Sequence, residues 1–340
     1  MSKKGIGIIG TGSIVHTYVK CIEEIDAVEI VALYTRLPDR VKKIESEFGF
    51  PVYDNLEKFL ALPQIDLVCV CNESGSHGQA IVKAARSKKH VLCEKPLEVT
   101  LQKIDDAITA CEQNGVKLGC VFQNRYGEHF GEVVNAVSKG KLGKLLMGNA
   151  HINWYRNAEY YAKNPWRGTL ELDGGAAFMN QGIHTIDLLL YLFGEVKTVF
   201  GTVQTRVHKI QGEDVGSGIL NFENGAIGNI TAGTALYPGH PERLEVFGEK
   251  GSILMEGGRI VSWNVMDVPE PDFGKENGNG SGAADPTAIG HQNHKKLILD
   301  MLGAIEEDRP PMVDGLEARK SVEVITALYK SSESQSIVFL

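Results

Sequence analysis

The sequence predicts an α/β protein: an N-terminal doubly wound parallel sheet, then a C-terminal α+β domain with a large, mostly antiparallel open sheet. Short apolar strands alternate with helices over the first 123 residues, which is typical of a parallel sheet with crossover helices. From residue 124, long β-patterned segments with hairpin signals replace that alternation. The chain has 340 residues, more than one hydrophobic core usually serves. We therefore expect domains at 1–123 and 124–340.

The first domain is predicted to contain five strands connected by four helices. Apolar runs of strand length indicate the strands, and amphipathic segments between them indicate the helices. The strands are expected at 5–10, 28–34, 65–71, 90–93 and 116–122, and the helices at 13–25, 38–48, 77–88 and 101–113.

The second domain is predicted to combine long strands with few helices. The expected strands are 145–155, 196–208, 215–222, 225–232, 243–247 and 252–255, and the expected helices are 128–138, about 180–193, 292–307 and 315–331. Glu-Asn-Gly at 223–225 and Glu-Gly-Gly at 256–258 are hairpin signals. The helix 315–331 is expected to pack back on the first domain, and the Gly-, Asn- and Ser-rich stretch 272–290 is expected to be a loop.

Composition argues against several classes of function. Acidic residues outnumber basic ones by 43 to 35, the net charge is −8, and no basic run exceeds two residues, so nucleic acid is not an expected partner. No apolar run reaches 18 residues and no signal-peptide pattern opens the chain, so no membrane segment is expected. Six cysteines without Cys-x-x-Cys spacing favour buried free thiols in the reducing cytoplasm over a zinc site.

A glycine-rich turn, Gly-Thr-Gly-Ser-Ile-Val at 10–15, follows the first strand and opens the first helix. The first glycine permits a tight turn, and the second lets the backbone approach a pyrophosphate at the helix N-terminus. Val15 stands where a third glycine or alanine is usual, which should loosen helix–strand packing slightly. In this context the motif predicts a dinucleotide site, and a plain glycine turn is the alternative.

The end of the second strand bears on the choice between NAD and NADP. A carboxylate there would bind the adenosine 2′-hydroxyl and repel a 2′-phosphate. The tip instead carries Thr35 and Arg36, with Arg40 one turn further on. A hydroxyl and a guanidinium can hold a phosphate, so the sequence favours NADP. Alternatively, Arg36 packs on the adenine ring, and the cofactor is NAD.

Two separated segments resemble the Gfo/Idh/MocA family of sugar and polyol dehydrogenases. Residues 66–96 run from a strand and a loop through His77 and a helix to a Glu-Lys-Pro motif, and the tail from Asp314 to Leu340 is also similar. The resemblance spans almost the whole chain. It implies a Rossmann domain, a second domain with an open sheet, and a nicotinamide held between them. It also implies that Lys95 lies beside the nicotinamide and the reacting hydroxyl, often with a cis peptide before the following proline.

The position of Lys95 agrees with this resemblance. Lys95 follows an apolar strand, and ligands bind at the carboxyl ends of strands in such sheets. An ammonium there can stabilise a developing alkoxide, whereas a solvated surface lysine is the alternative. The candidate cofactor-binding residues are Gly10, Gly12, Ser13, Ile14, Thr35, Arg36, Arg40, Cys71, Asn72, His77, Glu94, Lys95 and Gln123.

The segment 173–189 resembles the catalytic segment of the same family. Asn180 and His184 are four residues apart and share one helical face, and Asp187 is placed to orient the histidine ring or to play a structural role. Histidine is the natural base for a hydroxyl proton, and a buried core histidine is the alternative. Many family members carry Asp where this chain has Asn180. Asparagine cannot take a proton, so we expect it to position the substrate, as in members that resemble dehydrogenases of UDP-N-acetylglucosaminuronate.

Aromatic and arginine side chains are concentrated at 153–169. Aromatic faces suit the C–H face of a pyranose, and arginines suit a carboxylate or phosphate. The candidate substrate residues are Trp154, Arg156, Trp166, Arg167, Asn180 and His184. The arginines favour a uronate or a nucleotide sugar, unless Glu171 and Asp173 pair with them or the aromatics only pack the domain.

The sequence therefore predicts an NAD(P)-dependent oxidoreductase that transfers hydride between nicotinamide C4 and a carbinol carbon of a sugar, sugar derivative or polyol. The alternatives are an NAD-dependent glycoside hydrolase acting by transient oxidation and elimination, and a non-catalytic nucleotide-binding sensor. The presence of both Lys95 and His184 argues against the sensor. The expected small-molecule partner is a carbohydrate.

Two further expectations concern assembly and metal binding. Apolar residues such as Val196, Val199, Ile227 and Ile230 predict that the open sheet face forms a homodimer or homotetramer. His291 and His294, spaced by three, are expected to begin a helix rather than to bind a metal, because no third ligand is evident.

Overall fold

The computed structural model describes residues 3–273 and 290–340, which form two compact units. The first unit comprises Met1–Val121 and His291–Arg319, and the second comprises Phe122–Gly290 and Lys320–Leu340. Most of the loop expected at 272–290 lies outside the described residues. Among the described residues, no helix combines the length and apolar character needed to cross a bilayer.

The first unit contains a six-stranded parallel sheet in the order β3-β2-β1-β4-β5-β6. Its strands are β1 (Lys4–Ile9), β2 (Val28–Tyr34), β3 (Val52–Tyr53), β4 (Ile65–Val70), β5 (His90–Cys93) and β6 (Leu118–Cys120). Its helices begin with α1 (Ile14–Glu23), α2 (Val41–Phe48), α3 (Leu56–Leu60), α4 (His77–Arg86) and α5 (Leu101–Asn114). Strand order reverses direction between β1 and β4, so right-handed crossovers place helices on both faces. The predicted doubly wound sheet is confirmed, with β3 and α3 as short additions.

The second unit contains an eight-stranded sheet in the order β13-β12-β11-β7-β10-β9-β8-β14. Its strands are β7 (Leu145–Asn153), β8 (Val196–Gln204), β9 (Val215–Phe222), β10 (Ile227–Gly233), β11 (Arg243–Gly248), β12 (Gly251–Glu256), β13 (Arg259–Val265) and β14 (Val338–Phe339). Its helices are α6 (Glu128–Ser138), α7 (Ala158–Ala162) and α8 (Ile183–Phe193). Every neighbouring pair is antiparallel except β7 with β10, which confirms the mostly antiparallel sheet.

The last two helices are α9 (Gln292–Glu306) and α10 (Gly315–Ser334). Residues 291–319, expected in the second domain, belong to the first unit, because α9 packs against α1 and β5. The start of α10 is also held there, since Arg319 Nε donates to Asp105 Oδ1 at 2.7 Å. From Lys320 onward the helix belongs to the second unit, so only residues 315–319 of α10 fall in the first unit.

The two faces of the large sheet differ in what covers them. A Cβ on Gly148 of β7 would lie 2.5–2.6 Å from Leu189 and Phe193 of α8, so this face packs tightly against helices. Val196, Val199 and Ile230 lie buried on that covered face, and the expectation that they face outward is wrong for all three. Side chains alternate along a strand, and the exposed apolar residues of the other face are Met147, Phe200, Ile219 and Ile227.

The six cysteines and the two late histidines have simple structural positions. All six cysteines are buried free thiols, as predicted. His291 immediately precedes α9 and its Nε2 lies 2.8 Å from Glu24 Oε1, whereas His294 is buried within that helix.

Candidate active site

The turn between β1 and α1 has the geometry that a dinucleotide requires. Gly10 has φ +107°, and a Cβ there would lie 2.6 Å from the carbonyl carbon and oxygen of Cys71. At Gly12 a Cβ would meet nothing within 4 Å, so open space lies in front of this backbone. The first glycine is therefore needed for close packing and the second leaves room for a ligand. Val15 is fully buried, so the helix accommodates this departure from the usual motif.

The surroundings of this turn also suit a pyrophosphate and its attached groups. The first turn of α1 contains no acidic residue, and Ser13 precedes it without making a side-chain cap, so the positive end of the helix dipole is not neutralised locally. Asn72 Oδ1 is buried and has no hydrogen-bond partner among the residues described. The residues present thus fit a dinucleotide, whose pyrophosphate Gly10, Gly12, Ser13 and Ile14 would hold, with Asn72 nearby. Cys71 presents its backbone to Gly10, and its thiol is buried.

The tip of β2 holds an ion pair that the sequence did not indicate. Thr35 is buried and its Oγ1 accepts from Leu37 N at 3.3 Å. Arg36 Nη2 donates to Glu73 Oε1 at 2.6 Å. Arg40 ends the short 3-10 turn Pro38–Arg40 and is exposed. An acid is thus present beside the strand tip, but the loop after β4 supplies it.

Lys95 lies two residues after the end of β5, and its peptide bond with Pro96 is cis, as the resemblance implied. Glu94 points into the interior, where its Oε1 accepts from Tyr18 Oη at 3.0 Å. Burial raises the pKa of the Glu94 carboxyl, and the Lys95 ammonium partly opposes that rise. The side chain of Glu94 therefore belongs to the packing beneath the turn, whereas Lys95 marks the carboxyl edge of the sheet.

His77 has a different role from the one its motif suggested. Its ring is 1% exposed, with Nδ1 2.8 Å from the Pro96 carbonyl oxygen and Nε2 3.1 Å from the Asn72 carbonyl oxygen. Both ring nitrogens thus face backbone, which does not fit the expected direct contact with a cofactor. His77 ties the loop after β4 to the loop that carries Lys95.

In the second unit, Asn180 lies in a π-helical turn, Ala177–Gly182, that leads into α8. Single π-helical turns are often found at functional sites. Asn180 Nδ2 donates to Asp173 Oδ1, and Asn180 Oδ1 accepts from Gln181 Nε2 at 2.9 Å. These bonds fix the amide orientation. An aspartate at position 180 would face the Asp173 carboxylate, and two such groups cannot both ionise without a large cost, which explains the asparagine in this chain.

Glu213 anchors the beginning of this π-helical turn. Its carboxylate accepts from the backbone N–H groups of Ala176 and Phe178 and from Tyr329 Oη. Burial raises the pKa of Glu213, and these donors partly offset the rise. The expected single helix 180–193 instead begins as the π-helical turn Ala177–Gly182, and the Glu213 carboxylate satisfies backbone N–H groups at the start of that turn.

His184 lies in the first turn of α8 with 9% of its surface exposed. The Phe122 ring meets it edge-on at 5.9 Å between centroids. Asp187, one turn further on, accepts from Arg125 Nε at 2.8 Å and from Arg125 Nη2 at 2.7 Å. This buried, bidentate pair holds α8 to the segment after β6, a structural role for Asp187. Arg125 was missed because nothing near it in sequence predicts its partner.

The arginines of the aromatic segment join the same network as Asn180. Arg156 is buried and its Nη2 donates to Gln181 Oε1 at 2.9 Å. Gln181 Nε2 in turn donates to Tyr160 Oη at 2.8 Å. The Arg167 guanidinium lies 3.9 Å from the centroid of the Tyr160 ring. The structure thus brings Arg156, Arg167 and Asn180 together through Gln181 and Tyr160, two residues that the sequence analysis did not select.

The tryptophans flank the arginines. Trp154 is buried, and its ring centroid lies 5.0 Å from the Arg156 guanidinium carbon. The Trp166 ring centroid lies 5.9 Å from the Arg167 guanidinium carbon. Gln123 is buried in the second unit, and its Oε1 has no hydrogen-bond partner among the described residues. A buried amide oxygen of this kind can accept a bond from a ligand.

Comparison with protein families matches both parts of the chain. Residues 4–122 match the oxidoreductase family with an NAD-binding Rossmann fold, and residues 130–254 match the GFO/IDH/MocA C-terminal domain. The chain belongs to the Gfo/Idh/MocA family. It is therefore an oxidoreductase, and its first unit is the dinucleotide-binding Rossmann domain that the sequence predicted.

Individual members of the Gfo/Idh/MocA family are similar over most of the chain. The myo-inositol 2-dehydrogenase of Thermotoga maritima is 29% identical over 77% of this chain and 78% of its own length. The uncharacterized oxidoreductase YrbE of Bacillus subtilis is 30% identical over 78% and 77%, respectively. The WlbA dehydrogenase from Bordetella pertussis, solved in complex with NADH and UDP-GlcNAcA, is 29% identical with a TM-score of 0.88, and 99% of each chain is covered.

Proposed function

We propose that this Gfo/Idh/MocA protein is an NAD(P)-dependent dehydrogenase acting on a carbinol carbon of a sugar that bears a negative group, such as a uronate or a nucleotide sugar. One observation carries the choice of substrate: the hydrogen-bonded cluster of Arg156, Tyr160, Gln181 and Asn180, with Arg167 stacked on Tyr160. The similarity to WlbA, which was solved with a nucleotide sugar acid, supports the same class.

Two side chains, His184 and Lys95, carry out the proposed proton transfer and charge stabilisation. His184 takes the hydroxyl proton when the carbinol is oxidised and returns it in the reverse direction. Lys95 stabilises the negative charge that develops on the same oxygen. Asn180 cannot exchange protons, and its fixed amide orients the sugar. The nicotinamide accepts or donates the hydride when the cofactor is bound.

Within this cluster, Arg167 gives the strongest support for an anionic substrate. Its Nε is buried without a hydrogen-bond partner among the described residues, and its Nη1 donates to the Tyr160 carbonyl oxygen at 3.0 Å rather than to a carboxylate. Glu171 and Asp173, the acids expected as alternative partners, therefore do not neutralise it. A guanidinium that is partly removed from water is stabilised by an anion, which a uronate carboxylate or a diphosphate would supply.

Replacing Arg167 with methionine tests the substrate class. Loss of a charged hydrogen bond costs about 1.5–3 kcal/mol, so kcat/KM should fall about 10- to 100-fold for uronates and nucleotide sugars and change little for neutral polyols. Arg243→Met is the matched control, because Arg243 pairs with Glu256 elsewhere in the same unit. Steady-state kinetics with both substrate sets provide the measurement. Equal losses on charged and neutral sugars, or a neutral polyol as the best substrate, would assign Arg167 to the scaffold.

We further propose that the open sheet face forms a homodimer or homotetramer. Phe200 pairs with Ile219, and Met147 pairs with Ile227, in adjacent strands of this face. All four are about 40–50% exposed. Four large apolar side chains on one sheet face are typical of an interface.

The six buried free thiols support action in a reducing compartment such as the cytoplasm.

Ile219→Lys should convert the assembly into monomers, because a charge in an apolar interface cannot be desolvated cheaply. Leu316→Lys, on an exposed leucine of the first unit, is the control that should leave the assembly intact. Light scattering at micromolar concentration gives the molar mass directly. A monomeric wild-type protein would contradict the proposed assembly.

A further inference from the structure

Glu73, in the loop after β4, lies beside the carboxyl end of β2, where β2 itself supplies no acid. Arg36 follows β2 and Glu73 follows β4, and β1 lies between those two strands in the sheet. The backbone ties these ends together, since Gly10 N donates to the Tyr34 carbonyl at 3.0 Å and Cys71 N donates to the Ile9 carbonyl at 2.7 Å. The 2.6 Å ion pair between Arg36 and Glu73 therefore spans the strand that carries the glycine-rich turn.

This position is the switch point of the sheet, where strand order reverses and dinucleotides bind in doubly wound folds. The Glu73 side chain is mostly buried, with 19% exposed, whereas the Arg36 side chain is 60% exposed. The acid is therefore the more fixed member of the pair, and the arginine is the member that can move.

From this geometry we infer that Glu73 is the residue that selects between the two nicotinamide dinucleotides. The inference rests on the proposed use of NAD(P) and deepens it. A carboxylate can accept a hydrogen bond from the adenosine 2′-hydroxyl of NAD. The Glu73 carboxylate repels the 2′-phosphate of NADP. It is also already paired with the Arg36 guanidinium, which such a phosphate would need as its own partner. Arg36 and Thr35 alone favour NADP, but the ion pair weighs against that expectation and makes NAD the preferred cofactor.

The test measures binding of both cofactors to the full-length protein without any sugar substrate. Dissociation constants for NAD and NADP are determined by isothermal calorimetry for the wild type, Glu73→Gln and Arg36→Met. Removing the Glu73 charge should shift the ratio of the two constants by about tenfold or more in favour of NADP. The same change in an Arg36→Met background should shift it less, because the phosphate then lacks its guanidinium.

Glu57→Gln is the matched control. It removes one negative charge from the same unit at an exposed ion pair with Lys83, and it should leave the ratio unchanged. Glu73→Ser provides a second variant if Glu73→Gln fails to fold. The inference is overturned if both cofactors change equally, if the ratio stays within about twofold, or if the control shifts it as much. A wild-type protein that binds neither cofactor would instead contradict the proposed function itself.

Discussion

Replacing Lys95 with alanine is expected to lower turnover by about 100- to 1,000-fold and to change the affinity for the cofactor by less than about tenfold. The expected loss corresponds to roughly 3–4 kcal/mol, the usual contribution of one donor to a developing oxyanion. Lys95 follows β5 at the carboxyl edge of the sheet. The pyrophosphate site, by contrast, is built from the turn at Gly10 and Gly12, so cofactor binding should largely survive.

The control for this variant is Lys83→Ala, which removes a lysine from an exposed ion pair in the same unit. Single-turnover kinetics are needed so that the chemical step, and not product release, is measured. A Lys95→Ala enzyme that keeps more than a tenth of wild-type turnover under these conditions would show that Lys95 is not the catalytic lysine.

His184→Asn should lower turnover by about 100- to 10,000-fold, the range by which a positioned acid or base accelerates a reaction. Asparagine is similar in size but cannot accept the hydroxyl proton. The turnover that remains should depend less steeply on pH than that of the wild type, because the titrating group has been removed. A variant that only destabilised the fold would instead lower the active fraction and keep the shape of the pH profile.

His151→Asn serves as the control for the histidine substitution. His151 lies in β7, with its Nδ1 2.8 Å from Thr231 Oγ1, and it should be silent in turnover. If His184→Asn retains wild-type turnover and pH dependence, the proton is transferred elsewhere and His184 is a core residue.

The sequence was most informative where function depends on local backbone. The glycine turn could be interpreted from residues 10–15 because the positive φ of Gly10 is a property of the turn itself. The cis peptide before Pro96 likewise belongs to a contiguous motif. In both places a few neighbouring residues determine the geometry, so a pattern of residue types was sufficient.

Partnerships between distant residues were not accessible in this way. Glu73 lies 37 positions from Arg36, and Arg125 lies 62 positions from Asp187. Each pair depends on which strand ends meet in the folded sheet, and a hydrophobic pattern does not specify side-chain partners. The contact of Asn180 with Asp173 is closer in sequence, but it is made in a π-helical turn whose first N–H groups are bonded by the remote Glu213.

The faces of the large sheet illustrate a second limit. Val196 and Val199 lie in a strand whose apolar residues suggested an exposed apolar face that forms a subunit interface. Both lie on the covered face, where they form core, because a shift between Val196 and Thr198 interrupts the simple alternation in β8. The open face carries Phe200 and Ile219 instead, and only the register of β8 with β9 reveals that they are neighbours.

Direct hydride transfer between a sugar carbinol and the nicotinamide is tested most directly by an isotope experiment. A uronate or nucleotide sugar with deuterium on the oxidised carbon is incubated with the enzyme and excess oxidised cofactor, and both products are analysed by mass spectrometry. We expect one equivalent of reduced cofactor, carrying the deuterium at C4, for each sugar oxidised. Cleavage or elimination of the sugar with no net reduction of the cofactor would contradict it and would favour a hydrolase that oxidises its substrate only transiently.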